Sequence, residues 1–499
     1  MQLATVSTRA QTGVEAPPVR VEVHVSAGLP SLSISGLVEA AVKESRDRVC
    51  AAIRNAGLNV PDGRIVVSLA PADLPKSGSR FDLPIALGIL AASNQIPAAR
   101  LKGIEFYGEL GLSGELHGVP ALLPAVMRSI EANTAVVVPA NSPDDLSLLN
   151  SDQLMAAGHL LDVVRYLVDG EALQKVQPDA GKPGEEISVQ DIEDFADVRG
   201  QQQAKRAFLI AAGGRHNILM TGSPGSGKSM LARRLSGILP GLTNAQSLET
   251  AALYSLAGRS LNDWSAVPFR APHHTSSSVA LVGGSAKPKP GEISLAHNGV
   301  LFLDEFPEFA RPALEALREP LETGHITISR AGVSCEFPAR FQLVAAMNPC
   351  PCGYAGDPHK DCSCSPDQVR RYQSRISGPL RDRFDISISL TRTPLIFAED
   401  ETKRETSAVM RTMLEPLWEK QLKRQGCLNA ELTAPQIREY CRPDKEGMRM
   451  LEKAADRYAM SLRACDRVLK VARTIADISG CTKTNAPAIA EALSFKLDA

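Results

Sequence analysis

The sequence predicts three folding units: an α+β region, an α/β core on a parallel sheet, and a helical tail. Three observations carry this. A Pro, Gly and charge-rich stretch at residues 177–186 has no core-facing pattern and divides the chain. Helix and strand signals alternate after it, from residue 203 to residue 347, the pattern of a parallel sheet covered on both faces. Beyond about residue 395 the strand signals stop and apolar positions recur at helical spacing. The expected units are therefore residues 1–176, a linker at 177–190, residues 191–394 and residues 395–499.

Taken in order, residues 19–25 and 64–69 alternate as strands, and residues 42–56 and 83–92 show helical spacing. In the core, helices are expected at 203–212, 230–235 and 314–322, and strands at 217–221, 300–303 and 341–347. In the tail, helices are expected at 410–422, 448–458 and 468–478. Together the tail helices form a small bundle.

A chain of 499 residues that is 44% hydrophobic and 22% charged has the balance of a soluble globular protein. The formal charge of −1 gives no global attraction for nucleic acid, although a local basic surface remains open. No apolar stretch approaches the roughly 20 residues that cross a bilayer, and the first twenty residues lack a secretory signal pattern. A cytoplasmic location without membrane association is expected. The ten cysteines are too few for a disulfide framework and read as thiols or metal ligands.

The most specific motif is Gly222-Ser223-Pro224-Gly225-Ser226-Gly227-Lys228-Ser229, set between a strand and a helix. In that context glycines let backbone N–H groups curl around a β-phosphate, Lys228 reaches the β and γ oxygens, and Ser229 holds Mg²⁺. Residues 299–303 form an apolar strand that delivers Asp304 and Glu305 at its carboxyl end. Asp304 is assigned to the metal and Glu305 to polarising an attacking water. A third strand ends in Asn348, which can orient that water. Arg381 and Arg383 lie far from the loop in sequence, where they could serve a neighbouring subunit's nucleotide.

Phosphate loop, acidic strand, strand-end Asn, Arg-Phe-Asp at 383–385 and helical tail follow the order of the AAA+ ATPases. The runs at residues 269–275 (FRAPHHT), 291–299 (GEISLAHNG) and 348–353 (NPCPCG) resemble the magnesium-chelatase-like branch, and within it the ComM/YifB group. The resemblance extends over nearly the whole chain. It implies ATP and Mg²⁺ as cofactors, an arginine finger at Arg383 with Arg381 as the alternative, and a sensor arginine at Arg463. It also implies that residues 197–201, with Val198 and Gln201, line the adenine. Members of the group are similar to hexameric DNA motors that migrate branch points during natural transformation. A homo-hexamer acting on single-stranded or branched DNA is therefore expected. A metal-insertion or protein-remodelling motor and a regulatory ATPase ring are the alternatives.

The first region resembles a Lon-type proteolytic domain through residues 70–82 and 108–116. That chemistry needs a serine activated by a lysine. Arg80 stands where the family carries its nucleophile, and residues 117–125 contain no lysine, so the resemblance implies a degenerate domain. Cys350-x-Cys352 and Cys362-x-Cys364 lie nine residues apart with His359 between them, a set that reads either as a Zn²⁺ site or as reduced thiols. A hairpin is expected with its turn at residues 330–332, which makes Arg330 a candidate DNA contact. Lys287 and Lys289 in a second basic loop are further candidates, against the alternative of plain solvated loops.

Overall fold

The computed structural model describes residues 3–142, 144–176, 193–259, 261, 263–284, 288–330, 333–391 and 406–497. The expected linker at 177–190 and the expected boundary at 394/395 lie outside them.

The first region contains strands β1 (Leu3–Arg9), β2 (Pro18–Ser26), β3 (Ser31–Ser35), β4 (Arg64–Ala70), β5 (Ile104–Phe106), β6 (Glu109–Leu110), β7 (Leu116–His117), β8 (Ala135–Pro139), β9 (Leu154–Ala157) and β10 (Gln174–Lys175). Its helices are α1 (Ala40–Asn55), α2 (Asp82–Ala92), α3 (Leu123–Glu131) and α4 (Leu160–Val168). Among the described residues, eight strands form a mixed sheet in the order β10-β9-β8-β5-β1-β2-β4-β3. Period-2 alternation explains β2, where Val19, Val21 and Val23 are buried while Arg20 is exposed. Helix α2 forms where helical spacing was expected at 83–92, but it is wholly buried against β1 and β2, so those ten residues are apolar all round and leave no polar face.

Arg80 is fully buried immediately before α2. Its guanidinium donates to the Pro120 carbonyl at 2.8 Å and the Ala121 carbonyl at 3.3 Å. Burial brings it down to about 10. Lys76 donates to the Pro71 carbonyl and Ser79 to Glu109, so neither residue pairs with the other.

The core contains α5 (Gln202–Gly214), β11 (Ile218–Gly222), α6 (Lys228–Ile238), α7 (Asn244–Ala257), β12 (Phe269–Arg270), α8 (Ser278–Val282), α9 (Glu292–Leu295), β13 (Val300–Leu303), α10 (Arg311–Glu315), α11 (Arg318–Thr323), β14 (His325–Arg330), β15 (Val333–Pro338), β16 (Gln342–Met347), α12 (Pro366–Gln373), α13 (Gly378–Arg381) and β17 (Ile386–Leu390). Five of these strands form an all-parallel sheet ordered β12-β13-β16-β11-β17. Strands β13 and β16 are buried at every position, which is why they read as unbroken apolar runs. The single helix expected at 314–322 is instead two short ones, α10 and α11. The hairpin forms as expected, with Arg330 paired to Val333.

The tail is helical throughout its described residues: α14 (Ser407–Gln425), α15 (Ala434–Tyr440), α16 (Lys445–Tyr458), α17 (Leu462–Ile478) and α18 (Ala486–Leu497). Helices α14 and α17 pack on α5, joining tail and core in one apolar cluster. The first region also packs on the core, with α3 against α7. A Cβ on Gly13 would lie 3.7 Å from Cys335 of β15. Among the described residues no helix is long and apolar enough to cross a membrane.

His297 sits buried between these layers. Its Nδ1 accepts from the Arg340 N–H at 3.0 Å, which leaves Nε2 to donate to Glu249 at 3.2 Å. Burial holds the imidazole below its ordinary value, so folding favours the neutral form. Stability should be fully present above the unfolded value of about 6.5 and should be lost as pH falls from there through the lowered folded value. The expected observation is a lower Tm at pH 5.5 than at pH 7.5, with a smaller difference in His297→Asn, whose amide oxygen can still accept from Arg340.

Candidate nucleotide site

Three parallel strands end side by side at one edge of the sheet. Strand β16 lies between β11 and β13, so its terminal Asn348 falls between the glycine-rich loop after β11 and the carboxylates after β13. Gly225 and Gly227 take φ of +80° and +89°, the left-handed geometry that lets the loop fold back onto the start of α6. Lys228 opens that helix and turns inward. Its Nζ donates to the carbonyls of Gly222 at 2.7 Å and Ser223 at 3.1 Å, and to Asn348 Oδ1 at 3.2 Å. Burial lowers the ammonium's affinity for its proton, with Asp304 and Glu305 opposing.

Ser229 Oγ donates to Asp304 Oδ2 at 2.5 Å, so a hydroxyl and a carboxylate oxygen converge at the helix start. Hard oxygen donors in that pairing fit Mg²⁺. Glu305 adopts φ +51°, a left-handed conformation uncommon for a side-chain-bearing residue, and its exposed carboxylate meets His274 Nδ1 at 2.9 Å. His274 was not singled out from sequence as a functional residue. The one available signal was its place in the run at 269–275, far from the acidic strand.

Arg383 lies elsewhere. Strand β17 runs parallel to β11, pairing Ile218 with Ile386 and Gly222 with Leu390. Arg383 precedes β17, and its carbonyl accepts from Asn217 Nδ2 at 3.0 Å, just before β11. It therefore sits at the amino edge, one strand length, about 16 Å, from the glycine-rich loop of its own chain. There it pairs with Glu322. Burial lowers its pKa, and so do the nearby charges of Arg467, Arg463 and Arg318. Arg463 is thus close enough to Arg383 for their charges to interact. Arg383 and Glu322 border a cleft of 640 Å³ to which Arg215, Arg340, Arg467 and Lys470 add positive charge. Arg381 is exposed and donates to the Gln373 carbonyl at 3.4 Å.

Val198 is buried in the core beneath α5, while Gln201 donates to the Thr391 carbonyl at 2.9 Å. The four cysteine sulfurs lie within 4.8 Å of one another and can hold a metal, whereas His359 is not in that set. The Tyr354 backbone N–H lowers the Cys352 thiol to about 5. Lys289 is exposed, and Lys287 lies outside the described residues. The base of the Lys289 loop closes through a bridge between Gly283 and Pro290, and a Cβ on Gly283 would come within 2.8 Å of Ile328 in β14. The two loops nominated from sequence as DNA contacts therefore share a base.

A parallel α/β sheet with a glycine-rich loop after one strand, paired carboxylates after another and an amide between them defines the phosphate-loop class of proteins. Comparison with known families extends this. Residues 194–396 match the family described as magnesium chelatase, subunit ChlI. Residues 21–142 match subunit ChlI of Mg-chelatase, and residues 404–496 match the ChlI C-terminal family. The chain is 47% identical over 499 residues to competence protein ComM of Haemophilus influenzae, covering 99% of this chain and 98% of the relative. It is 46% identical over 499 residues to YifB of Escherichia coli, an uncharacterized protein, covering 99% and 97%. The chain belongs to the magnesium-chelatase-like AAA+ family, in its ComM/YifB group. Nucleotide and Mg²⁺ use are implied by that family.

Proposed function

We propose that this protein is an ATP-driven homo-hexameric DNA motor that promotes branch migration and strand integration in natural transformation or recombination. The observation that carries the reading is the split of the site across the sheet. Lys228, Ser229, Asp304, Glu305 and Asn348 gather at the carboxyl edge, while Arg383 lies at the amino edge, paired with Glu322. A finger at that edge serves a second copy, and a closed ring gives every copy one. The name of the competence relative supports the DNA assignment.

In this reading the N–H groups of residues 222–229 cradle the phosphates, and Lys228 donates to the β and γ oxygens. Ser229 and Asp304 hold Mg²⁺, which when bound neutralises charge on those oxygens. Glu305 accepts the proton of the attacking water, Asn348 orients that water, and Arg383 and Arg463 approach from the neighbour. Val198 and Gln201 border the adenine. The hairpin at Arg330 and the loop of Lys287 and Lys289 face DNA, and the region before residue 177 is a Lon-like scaffold without a dyad. Zn²⁺ is the metal this reading gives the four cysteines.

The test measures ATPase of the full chain and of Lys228→Ala with forked, four-way and linear DNA over a range of salt. Branched DNA should stimulate the wild type, with stimulation falling as salt rises because phosphate contacts release counterions. Lys228→Ala should be inactive. A chain that stays monomeric with saturating ATP and DNA, and that no DNA stimulates, overturns the reading. The ChlI matches favour a second reading, a chaperone-like motor for metal insertion; activation by a protein partner alone would select it.

His274 is assigned the positioning of Glu305. His274→Ala should lower kcat about tenfold, less than the roughly 10²–10⁴ expected for loss of the general base it positions, with nucleotide affinity unchanged. His274→Asn, whose amide can take the Nδ1 position, should retain more activity. Equal losses in both variants would remove the assignment.

A further inference from the structure

We propose that Cys350, Cys352, Cys362 and Cys364 hold one structural Zn²⁺ that clamps the turn at residues 349–353 against the glycine-rich loop, so that nucleotide affinity depends on the metal. The inference goes beyond the nucleotide-site reading above and rests on it.

The sulfurs are already grouped. Cys350 Sγ lies 3.3 Å from Cys352 Sγ and 3.6 Å from Cys362 Sγ, and Cys352 and Cys362 are 3.5 Å apart. Around a tetrahedral ion with Zn–S bonds of about 2.3 Å, sulfurs stand about 3.8 Å from one another, so the set closes with small shifts. Four soft ligands in that geometry select zinc over the hard cation suited to Ser229 and Asp304. Backbone N–H groups support the charge: Cys352 N–H points at Cys364 Sγ at 3.4 Å, and Ala355 N–H at Cys350 Sγ at 3.3 Å. Between β16 and α12 the chain has no helix or strand, so a metal would supply the fixation that a core does not.

The turn also touches the nucleotide loop at two points. Asn348, two residues before Cys350, accepts from Lys228 Nζ. Gly353, one residue after Cys352, has φ +87°, and a Cβ there would stand 2.7 Å from Pro224 Cδ. From the other side, Gln373 donates to the Pro349 carbonyl at 3.2 Å. An ion joining Cys350 and Cys352 to Cys362 and Cys364 therefore fixes the wall on which Pro224 and Lys228 rest.

The experiment uses the full chain purified under reducing conditions. Zinc content should be about one per chain. Removing it with a chelator should weaken binding of a fluorescent ATP analogue about tenfold, within the range seen when supporting contacts of a site are lost, and added Zn²⁺ should restore it. Lys228→Ala should keep its zinc while losing the nucleotide. If instead it binds nucleotide normally, the nucleotide-site reading fails independently of the zinc. Because Cys362→Ser can misfold, Gly353→Ala supplies a second arm: zinc stays, and affinity falls as the new methyl presses on Pro224. A chain that carries no zinc, takes up none when Zn²⁺ is added and leaves all four thiols reactive overturns the site. Zinc removal or Gly353→Ala that leaves affinity within about twofold (about 0.4 kcal/mol) overturns the coupling.

Discussion

Glu305→Gln should bind ATP and assemble as the wild type does, while turnover falls by a factor of about 10²–10⁴, the range for losing a general base. The amide keeps the size of the carboxylate and can still meet His274, so the backbone at φ +51° need not change. What disappears is the capacity to take a proton from water. Asp304 cannot replace it, because its Oδ2 already accepts from Ser229 and its Oδ1 from the Glu305 N–H at 2.9 Å. Fluorescent-nucleotide binding with single-turnover hydrolysis separates the two steps. Turnover near the wild-type rate would remove Glu305 from the water-polarising role.

Arg383→Ala should cut ATPase by a factor of about 10³–10⁵, the measured worth of an arginine finger, and should do so through the neighbour's site. The strand-length separation of Arg383 from its own glycine-rich loop makes this a statement about pairs of subunits. A mixing experiment exposes it. Arg383→Ala subunits keep an intact loop, and Lys228→Ala subunits keep an intact arginine. In a random equal mixture about one quarter of the interfaces join the good halves, so activity should return to roughly that fraction of wild type. Failure of the mixture to exceed either parent would show that Arg383 acts within its own chain. Glu322, which holds Arg383 in the isolated protomer, is the residue the finger must leave to reach a neighbour's phosphates.

The nucleotide loop was legible because its chemistry restricts residue types at fixed spacing, and the strand before it and helix after it follow from apolar pattern. The positions of Asp304, Glu305 and Asn348 were legible for the same reason: each ends a fully buried strand. The contact between His274 and Glu305 was not, since it depends on where a loop returns after thirty residues. Strand β17 was missed because its serines break the apolar run, although only Ser389 among them is exposed. The order of the eight-stranded sheet was also hidden, as its strands join across distant segments such as β1 and β5. That the Arg463 charge is felt at Arg383 required the packing of the tail on the core, which periodicity does not encode.

Gly13 and Val14, in the turn between the first two strands, rest on the flank of the β14–β15 hairpin, with Val14 packed against the apolar cluster that holds Ile328 and Phe337. Protein interiors are too dense to let such a seam stretch. A stroke of that hairpin by more than an ångström or so must therefore either tear the seam or carry residues 10–16 along. If the hairpin moves, the amino-terminal tier must move with it, and a wedge inserted at Gly13 would hinder it from a distance.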